Sequence, residues 1–343
     1  MDVRLETLYH RQSLTAAETQ SLFDDVFAGR MEPAMLASLL TALKIKGETP
    51  EEIRGAATAM LGAARPFPKI ASEVGEVVGT GGDGCGSINV STMTALAAAG
   101  CGLRIAKHGN RGVSSPSGAS DVLTALGVDI SPTPEESAEL LERTGFAFCF
   151  AQAYHPAMRF AGPVRKALGT RTIFNILGPL TNPAHPDYAL IGVYDPSLLQ
   201  TMADTLKGLG VKRAMVLHGL GIDEAAVHGP TVYVRYDETG ATEAGTFTPA
   251  DFGVTETVRL EDLKGGTPED NARIAEAVLS GHGTYAQQAV VKANLALLLM
   301  LGRKAATLPE ALAAAHQALQ TGVGMRVLEA HRAFARSHKM EAA

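Results

Sequence analysis

The sequence VGEVVGTGGDGCGSINVSTMTALAAA, residues 74–99, places a short apolar run, a glycine-rich loop and an alanine-rich run in direct succession. Val74 to Val78 is typical of a strand, and Ser91 to Ala99 is typical of a helix. The glycines of the loop between them, Gly79 to Gly84, let the backbone turn sharply and approach a ligand, so that amides can point at phosphate oxygens. Taken alone, the loop is equally compatible with a tight strand-to-helix turn and a helix cap.

The same alternation continues along the chain and predicts an α/β domain with a central sheet flanked by helices. Further strands are predicted at 103–106, 146–151, 189–194 and 214–217, further helices at 120–126 and 196–209, and a hairpin from 231. The stretch from Pro268 to Ala335 is mostly helical, and its most apolar part, Ala293 to Leu301, is too short to span a bilayer and is predicted to be buried.

The N-terminal 65 residues predict helices only. Thr15 with Glu18, and Thr49 with Glu52, have the spacing of a capping box, and Pro33 to Lys46 has apolar residues close to helical spacing. We therefore expect a small all-helical domain over 1–65, followed by a larger α/β domain over 70–343. The helices must bury their apolar faces against the larger domain or a second subunit.

The overall composition excludes several classes of protein. The 343 residues include 46% apolar and 19% charged residues, which is an ordinary globular balance, and the net charge of −6 argues against binding to nucleic acid or anionic membranes. The three cysteines, Cys85, Cys101 and Cys149, form no CxxC pair, and the charged start lacks the apolar stretch of a signal peptide. We therefore expect a cytoplasmic protein.

The glycine loop also matches the GxGxxG pattern of dinucleotide-binding domains. That design requires an acidic residue about 20 positions further on, to bind a ribose hydroxyl. No Asp or Glu occurs between Asp83 and Asp121, where Arg104, Lys107, His108 and Arg111 lie instead. A segment with cations and no carboxylates suits a multiply charged anion better, so the dinucleotide interpretation becomes a minor alternative.

Two further loops follow predicted strands. KHGNRG, residues 107–112, is expected at the same sheet edge as the glycine loop, and Ser114, Ser115 and Ser117 add hydroxyls to it. Asp223 and Glu224 follow the strand at 214–217; adjacent carboxylates suit Mg²⁺, although two exposed surface acids would be the commoner arrangement. Cys85 is expected to be a spectator, and His282, His316 and His331 are expected to be surface residues.

Several separated motifs, taken together, resemble the anthranilate phosphoribosyltransferase family. They are GTGGDG at 79–84, NVST at 89–92, KHGNR at 107–111, GPVRKALGTRTIFNILGPLTNP at 162–183, and the pair Asp223-Glu224. The resemblance covers nearly the whole chain. It implies a fold of the nucleoside phosphorylase/phosphoribosyltransferase type, in which helices around 155–185 complete the N-terminal domain.

The resemblance also implies an activity, the transfer of phosphoribose from phosphoribosyl diphosphate to anthranilate in tryptophan synthesis, and a set of site residues. The residues that match the family's phosphoribosyl-diphosphate site are Gly79, Gly82, Asp83, Ser87, Asn89, Val90, Ser91, Thr92, Lys107, His108, Gly109, Asn110, Arg111, Gly112, Val113, Ser114, Ser115 and Ala119. Its anthranilate site is matched by Gly79, Asn110 and Arg165, and its magnesium ligands, for two ions, by Ser91, Asp223 and Glu224. A homodimer through the N-terminal helices is implied as well.

Two departures from the family pattern stand out. Ser87 occupies a position where the family often has Thr, which keeps the hydroxyl, whereas Ala119 occupies a position where the family commonly has a diphosphate-binding Ser. The missing hydrogen bond is expected to weaken donor binding by an amount on the order of 1 kcal/mol. A pyrimidine nucleoside phosphorylase remains an alternative, although it would call for a KHS-type second loop, and so does a non-catalytic relative that binds nucleic acid.

Overall fold

The computed structural model describes residues 2–112 and 116–341, with side chains to residue 337. The predicted site residues Val113, Ser114 and Ser115 lie outside the described residues. Four helices open the chain: α1 (Val3–Tyr9), α2 (Ala16–Phe27), α3 (Pro33–Lys46) and α4 (Pro50–Gly62).

Strands and helices are interspersed from residue 75 onward, and the described chain ends in four helices. In chain order they are β1 (Gly75–Gly79), α5 (Val90–Gly100), β2 (Ile105–Gly109), α6 (Ala119–Ala125), α7 (Pro134–Thr144), β3 (Phe146–Phe150), α8 (Ala151–Tyr154), α9 (Gly162–Leu168), α10 (Phe174–Leu177), β4 (Tyr188–Gly192), α11 (Leu199–Gly208), β5 (Arg213–Gly219), β6 (Thr231–Tyr236), β7 (Thr242–Phe247), α12 (Pro268–Leu279), α13 (Tyr285–Leu301), α14 (Leu308–Gln320) and α15 (Val323–Glu341).

The seven strands form one mixed sheet in the order β3-β2-β1-β4-β5-β6-β7. The first five strands of that order run parallel, and β6 and β7 complete the sheet in antiparallel fashion. Because β1 lies between β2 and β4, the loops that follow these strands meet at one edge. The predicted fold class, a small N-terminal helical domain with a larger α/β domain, is confirmed.

Local sequence explains how the N-terminal helices begin. Both predicted capping boxes are present, with Thr15 and Glu18 at the start of α2 and Thr49 and Glu52 at the start of α4. The carboxylate of Glu52 is fully buried, and it also accepts hydrogen bonds from the backbone N–H of Leu14 (3.0 Å) and from Lys46 Nζ (2.8 Å). These bonds compensate the burial of its charge and tie three segments of the domain together.

Two large apolar cores cover the two faces of the sheet. One is formed with α5 and the C-terminal helices, and the other with the N-terminal helices and the segment that contains α9, α10 and α11. Phe174 of α10 packs against Phe23 and Phe27 of α2, with ring centroids 5.8 and 6.3 Å apart. Residues from the middle of the chain therefore share a core with the N-terminal helices.

One sequence expectation about the histidines was wrong. His282 and His316 are exposed as expected, but His331 is buried in α15, where its Nε2 lies 3.0 Å from Thr144 Oγ1 and its ring packs edge-on against Phe146. The burial disfavours its charged form and lowers the pKa of His331 to about 4.

Within the described residues, no helix is both long and apolar enough to cross a membrane.

Candidate active site

The loop that carries Asp223 and Glu224 crosses the carboxyl ends of β1 and β4, where two glycines make room for it. Gly79 and Gly192 are register partners at the last residue of each strand. A Cβ atom on Gly192 would lie 1.6 Å from the carbonyl oxygen of Asp223, and one on Gly79 would lie 2.2 Å from Asp223 Oδ2. Only glycine at both positions allows the acidic loop to lie directly on the sheet edge.

Backbone amides of the glycine loop and of α5 hold the two carboxylates. Asp223 Oδ2 accepts a hydrogen bond from Gly81 N (2.6 Å), and Glu224 Oε1 accepts one from Ser91 N in the first turn of α5 (3.2 Å). Burial, and next the nearby charge of Asp83, raise the pKa of Asp223 to about 7. Burial, and next the charge of Asp223, raise the pKa of Glu224 to about 8. Two crowded carboxylates of this kind favour a bound cation.

Lys107 supplies positive charge from beneath the site. Its side chain is buried, and Nζ donates hydrogen bonds to Val77 O (2.9 Å) and to Ser91 Oγ (3.0 Å). Burial lowers the pKa of Lys107, while the carboxylates of Glu76, Glu224 and Asp223 act in the opposite direction. Lys107 thus connects β2 to the first turn of α5 and fixes the orientation of the Ser91 hydroxyl.

The donors that meet at this edge are oxygen atoms, which fit Mg²⁺ better than a transition metal. In the described part of the chain, no group of three or more His, Cys, Asp or Glu side chains is arranged to hold a metal ion. Asp223, Glu224 and Ser91 together therefore provide an incomplete ligand set. A magnesium ion held here would need further oxygens from water or from a bound phosphate.

The glycine loop is tethered on its far side to the segment before α12. Ser87 pairs with Lys264 in an antiparallel bridge, and Gly265 N donates to Gly86 O (2.9 Å). Asn89, at the start of α5, accepts a hydrogen bond from Asn271 Nδ2 (2.8 Å) and donates one to Ser117 O (3.2 Å). The loop therefore has a fixed position relative to α5.

Asp83 and Cys85 lie at the end of the glycine loop, on either side of Gly84. Asp83 Oδ1 accepts a hydrogen bond from Cys85 N (3.0 Å), and Cys85 Sγ donates one to Gly221 O (2.8 Å). Burial and the charges of Asp83 and Asp223 raise the pKa of the Cys85 thiol to about 11. A thiol with a raised pKa stays protonated at neutral pH and is a poor nucleophile.

The second loop is held by Asp121, which was not among the predicted site residues. Asp121 Oδ2 accepts hydrogen bonds from Gly112 N (2.8 Å) and Gly118 N (2.9 Å), and Oδ1 lies 3.8 Å from the Arg111 guanidinium. Asn110 is exposed, and its Oδ1 accepts from Arg111 N (2.8 Å) and from Gln152 Nε2 (3.3 Å). The loop presents one amide side chain and one guanidinium to the site edge.

Ala119 begins α6 next to the end of β2. Its Cβ would lie 3.1 Å from a Cβ atom built on Gly109. Ala119 therefore borders the predicted donor site at the end of β2.

Besides Lys107, three predicted donor-site residues have side chains that are buried within the protein. His108 lies on the opposite sheet face from Lys107, because side chains alternate along β2; its Nδ1 lies 2.9 Å from Gly178 O, and its ring packs against His155. The side chains of Val90 and Thr92 are buried as well. From these three positions only the backbone is available to a ligand at this edge.

Arg165 lies on α9, beside Phe174 of α10. Its guanidinium carbon is 5.1 Å from the ring centroid of Phe174, and burial lowers the pKa of the guanidinium. Within the described residues it forms no salt bridge with a carboxylate. A partly buried guanidinium of this kind suits an anionic group supplied by a ligand.

Arg171 connects the same segment to the glycine loop. Its guanidinium donates a hydrogen bond to Gly82 O and stacks on the ring of Tyr194, 3.8 Å from the centroid. Arg171 has no assigned role among the residues predicted from sequence. Two buried side chains behind the acidic loop, Thr231 and Asn294, were missed entirely. Asn294 had a detectable signal, because it is the only polar residue in the run from Ala293 to Leu301.

The chain matches known families over both of its parts. A sequence family described as a glycosyl transferase family, helical bundle domain, matches residues 4–64, and one described as a glycosyl transferase family, a/b domain, matches residues 72–325. Anthranilate phosphoribosyltransferases of Tolumonas auensis and Aeromonas salmonicida are 49% and 51% identical over 94% of this chain and 95% of their own length.

Solved structures give the same result. The crystal structure of anthranilate phosphoribosyltransferase from Thermus thermophilus superposes with a TM-score of 0.92 at 41% identity, covering 98% of this chain and 100% of the other. The enzyme from Saccharomyces cerevisiae, in complex with PRPP (phosphoribosyl diphosphate) and Mg, superposes with a TM-score of 0.89 at 27% identity. The match covers 98% of this chain and 97% of the yeast chain. The fold, the sheet-edge site and these relatives together show that the chain belongs to the anthranilate phosphoribosyltransferase family.

Proposed function

We propose that this enzyme transfers the phosphoribosyl group of 5-phosphoribosyl 1-diphosphate to the amine of anthranilate, giving N-(5-phosphoribosyl)anthranilate and diphosphate in tryptophan biosynthesis. One observation carries the proposal: the glycine loop, the basic second loop and the acidic loop meet at one sheet edge, and hydrogen bonds and close packing join them. A relative of the same fold binds PRPP and Mg, and a further yeast structure contains 4-fluoroanthranilate.

The donor site is proposed to lie between the glycine loop and the second loop. Amides of Gly79 and Gly82, with polar groups of Asp83, Ser87 and Asn89, face the diphosphate and ribose. The second loop from Gly109 to Gly112 adds the Arg111 guanidinium and further amides, while Lys107 acts through its charge from beneath.

Asp223, Glu224 and Ser91 are proposed to hold magnesium, with two ions in the complete site. Bound magnesium neutralises negative charge on the diphosphate as it leaves. The role of the chain itself is to keep two carboxylates close together against their repulsion, through the amides of Gly81 and Ser91. These amides, like the rest of the glycine loop, are oriented before the substrate binds, so no reorganisation is needed during the reaction.

The acceptor is proposed to bind between α9 and the second loop. Arg165 pairs with the carboxylate of anthranilate, and Asn110 and the backbone at Gly79 place the ring. The aromatic amine is neutral at pH 7 and attacks the anomeric carbon as the bond to diphosphate breaks. The nitrogen then releases one proton to water or to the departing diphosphate, and because an N-substituted anilinium is acidic, no strong general base is required. Positioning of the two substrates supplies much of the rate.

We further propose that the enzyme is a homodimer through its N-terminal helices and acts in the cytoplasm. Val3 and Tyr9 of α1, and Met35 and Ile45 of α3, are exposed apolar side chains, with Val3 75% and Ile45 64% exposed. An apolar surface of this kind is typical of a subunit interface. The three cysteines are free, which fits a reducing compartment.

The experiment that tests this function mixes the protein with phosphoribosyl diphosphate, Mg²⁺ and anthranilate and follows the loss of anthranilate fluorescence. We expect turnover that requires all three components. Two further arms, thymidine phosphorolysis and retardation of a DNA duplex, are expected to show nothing. Phosphorolysis of thymidine without anthranilate turnover would instead establish a nucleoside phosphorylase.

A further inference from the structure

The segment after Glu224 is held by a buried side chain of α13. Asn294 is fully buried; its Oδ1 accepts a hydrogen bond from Ala225 N (2.9 Å), and its Nδ2 donates to Ala225 O (3.1 Å) and to Val290 O (2.9 Å). One amide side chain thus satisfies both backbone groups of the residue that follows Glu224, in the manner of a strand partner.

A second buried side chain holds the next residue. Thr231, the first residue of β6, is fully buried, and its Oγ1 accepts a hydrogen bond from Ala226 N (2.8 Å). Before the carboxylates, the chain turns back on itself through the bridge between Gly219 and Ile222. The acidic loop is therefore fixed on both sides, and its buried peptide groups depend on side chains, since they have no place in the sheet.

An apolar residue would serve α13 better if packing were its only task. Asn294 lies in a run of buried Leu and Ala residues, where an amide costs free energy unless every hydrogen bond is made. The Asn294 amide forms three hydrogen bonds, two with the backbone of Ala225 in the acidic loop and one with Val290 O of its own helix. The amide therefore has a role in the position of that loop.

We propose that Asn294 and Thr231 are positioning residues that hold Asp223 and Glu224 at the spacing required for magnesium. The inference rests on the metal role proposed above for these two carboxylates. Burial of the two carboxylates and the nearby charge of Asp83 on the glycine loop favour separation of the acidic loop from the sheet edge in the metal-free protein. The two buried side chains oppose this separation. Groups that orient metal ligands from behind typically change metal affinity 10- to 100-fold when they are removed.

The test compares Thr231→Val, which keeps the shape and removes the hydroxyl, and Asn294→Ala with two controls. Thr231→Ser keeps the hydroxyl. Leu299→Ala removes a buried side chain from α13 at about 140° around the helix from Asn294, and so measures loss of packing alone. All variants are assayed well below their melting temperatures.

Two readouts do not depend on turnover. Binding of Mn²⁺ in the presence of diphosphate is measured by electron paramagnetic resonance, and amide exchange of the peptide over 220–227 is measured in the metal-free protein. We expect Thr231→Val and Asn294→Ala to weaken Mn²⁺ binding about tenfold or more, to raise the half-saturating Mg²⁺ concentration equally, and to speed exchange of this peptide. Thr231→Ser and Leu299→Ala are expected to match the wild type in Mn²⁺ affinity, in half-saturating Mg²⁺ concentration and in the exchange rate of this peptide.

The possible failures are distinguishable. A wild-type enzyme whose turnover needs no Mg²⁺ would overturn the proposed metal role itself. A Mg²⁺-dependent wild type, together with Thr231→Val and Asn294→Ala variants that bind Mn²⁺ normally and lose only thermal stability, would overturn the inference about positioning and leave the proposed function intact.

Discussion

A single added methyl group at Gly192 should disable the site while leaving the fold in place. Gly192 is the last residue of β4, and the backbone of Asp223 lies directly against it. In Gly192→Ala the new Cβ would lie 1.6 Å from the Asp223 carbonyl oxygen and 2.4 Å from its carbonyl carbon, whereas Cβ atoms essentially never lie within 3.0 Å of such atoms.

The size of the effect follows from this clash. The backbone of Asp223 must move by roughly 1.4 Å or more to relieve it, because the obstacle is backbone and cannot rotate away. A displacement of about 1 Å in a catalytic arrangement costs about 100-fold in rate, so kcat/KM should fall by about that factor or more. Overpacking should lower the free energy of unfolding by about 1–3 kcal/mol, which a protein of this size tolerates.

The assay is the initial rate of anthranilate consumption as a function of Mg²⁺ concentration, with circular dichroism to verify the fold. Gly75→Ala is the matched control. Gly75 is the first residue of β1, at the opposite end of the strand from Gly79 and the acidic loop, and its added Cβ would lie 2.2 Å from the Tyr188 ring. The Gly75→Ala variant should lose stability but keep its Mg²⁺ dependence. Full activity of Gly192→Ala at the wild-type Mg²⁺ optimum would refute the placement of the acidic loop on the sheet edge.

Three further predictions concern other parts of the site. Arg165→Ala should raise the KM for anthranilate with little effect on the KM for phosphoribosyl diphosphate, and an unchanged anthranilate KM would contradict its assignment to the acceptor. Ala119→Ser should lower the KM for phosphoribosyl diphosphate up to about fivefold, since the added hydroxyl contributes about 1 kcal/mol; equal KM values would remove this residue from the donor site. Burial lowers the pKa of His108 to about 3 and that of His155 to about 4, so the unfolded chain binds more protons below pH ~6.5 and the free energy of unfolding should fall as pH decreases from 7 to 5. In NMR spectra neither ring should titrate between pH 5 and 8, and a midpoint near 6.5 would contradict their burial.

Local sequence signals were sufficient for most of the elements and for much of the site edge, although α7 was not predicted despite its capping box at Thr133 and Glu136. Strands and helices were found where apolar runs and capping residues indicated them, as in α3, whose bounds equal the predicted Pro33 to Lys46. The rule that loops after parallel strands share an edge then brought together the glycine loop, the second loop and Asp223-Glu224. Errors at strand ends were small, as in β2, which runs from Ile105 to Gly109 and not from 103 to 106.

Features that depend on contacts between distant residues could not be predicted in this way. The sequence shows Gly79 and Asp223 as members of two motifs, but only the folded chain shows that the missing side chain of one makes space for the other. The same holds for Asn294, whose partner Ala225 lies 69 residues away, and for His331, whose partner Thr144 lies 187 residues away. His108 is a different case, since alternation along β2 already implies that it and Lys107 face opposite sides.

The most direct test of the central claim is the identification of the products by mass spectrometry. The wild-type enzyme, with phosphoribosyl diphosphate, anthranilate and Mg²⁺, should form N-(5-phosphoribosyl)anthranilate and diphosphate in equal amounts. The double variant Asp223→Ala/Glu224→Ala, folded by circular dichroism, should form neither. Absence of the phosphoribosylated product from the wild-type reaction, or full turnover by the double variant at ordinary Mg²⁺ concentrations, would contradict the account.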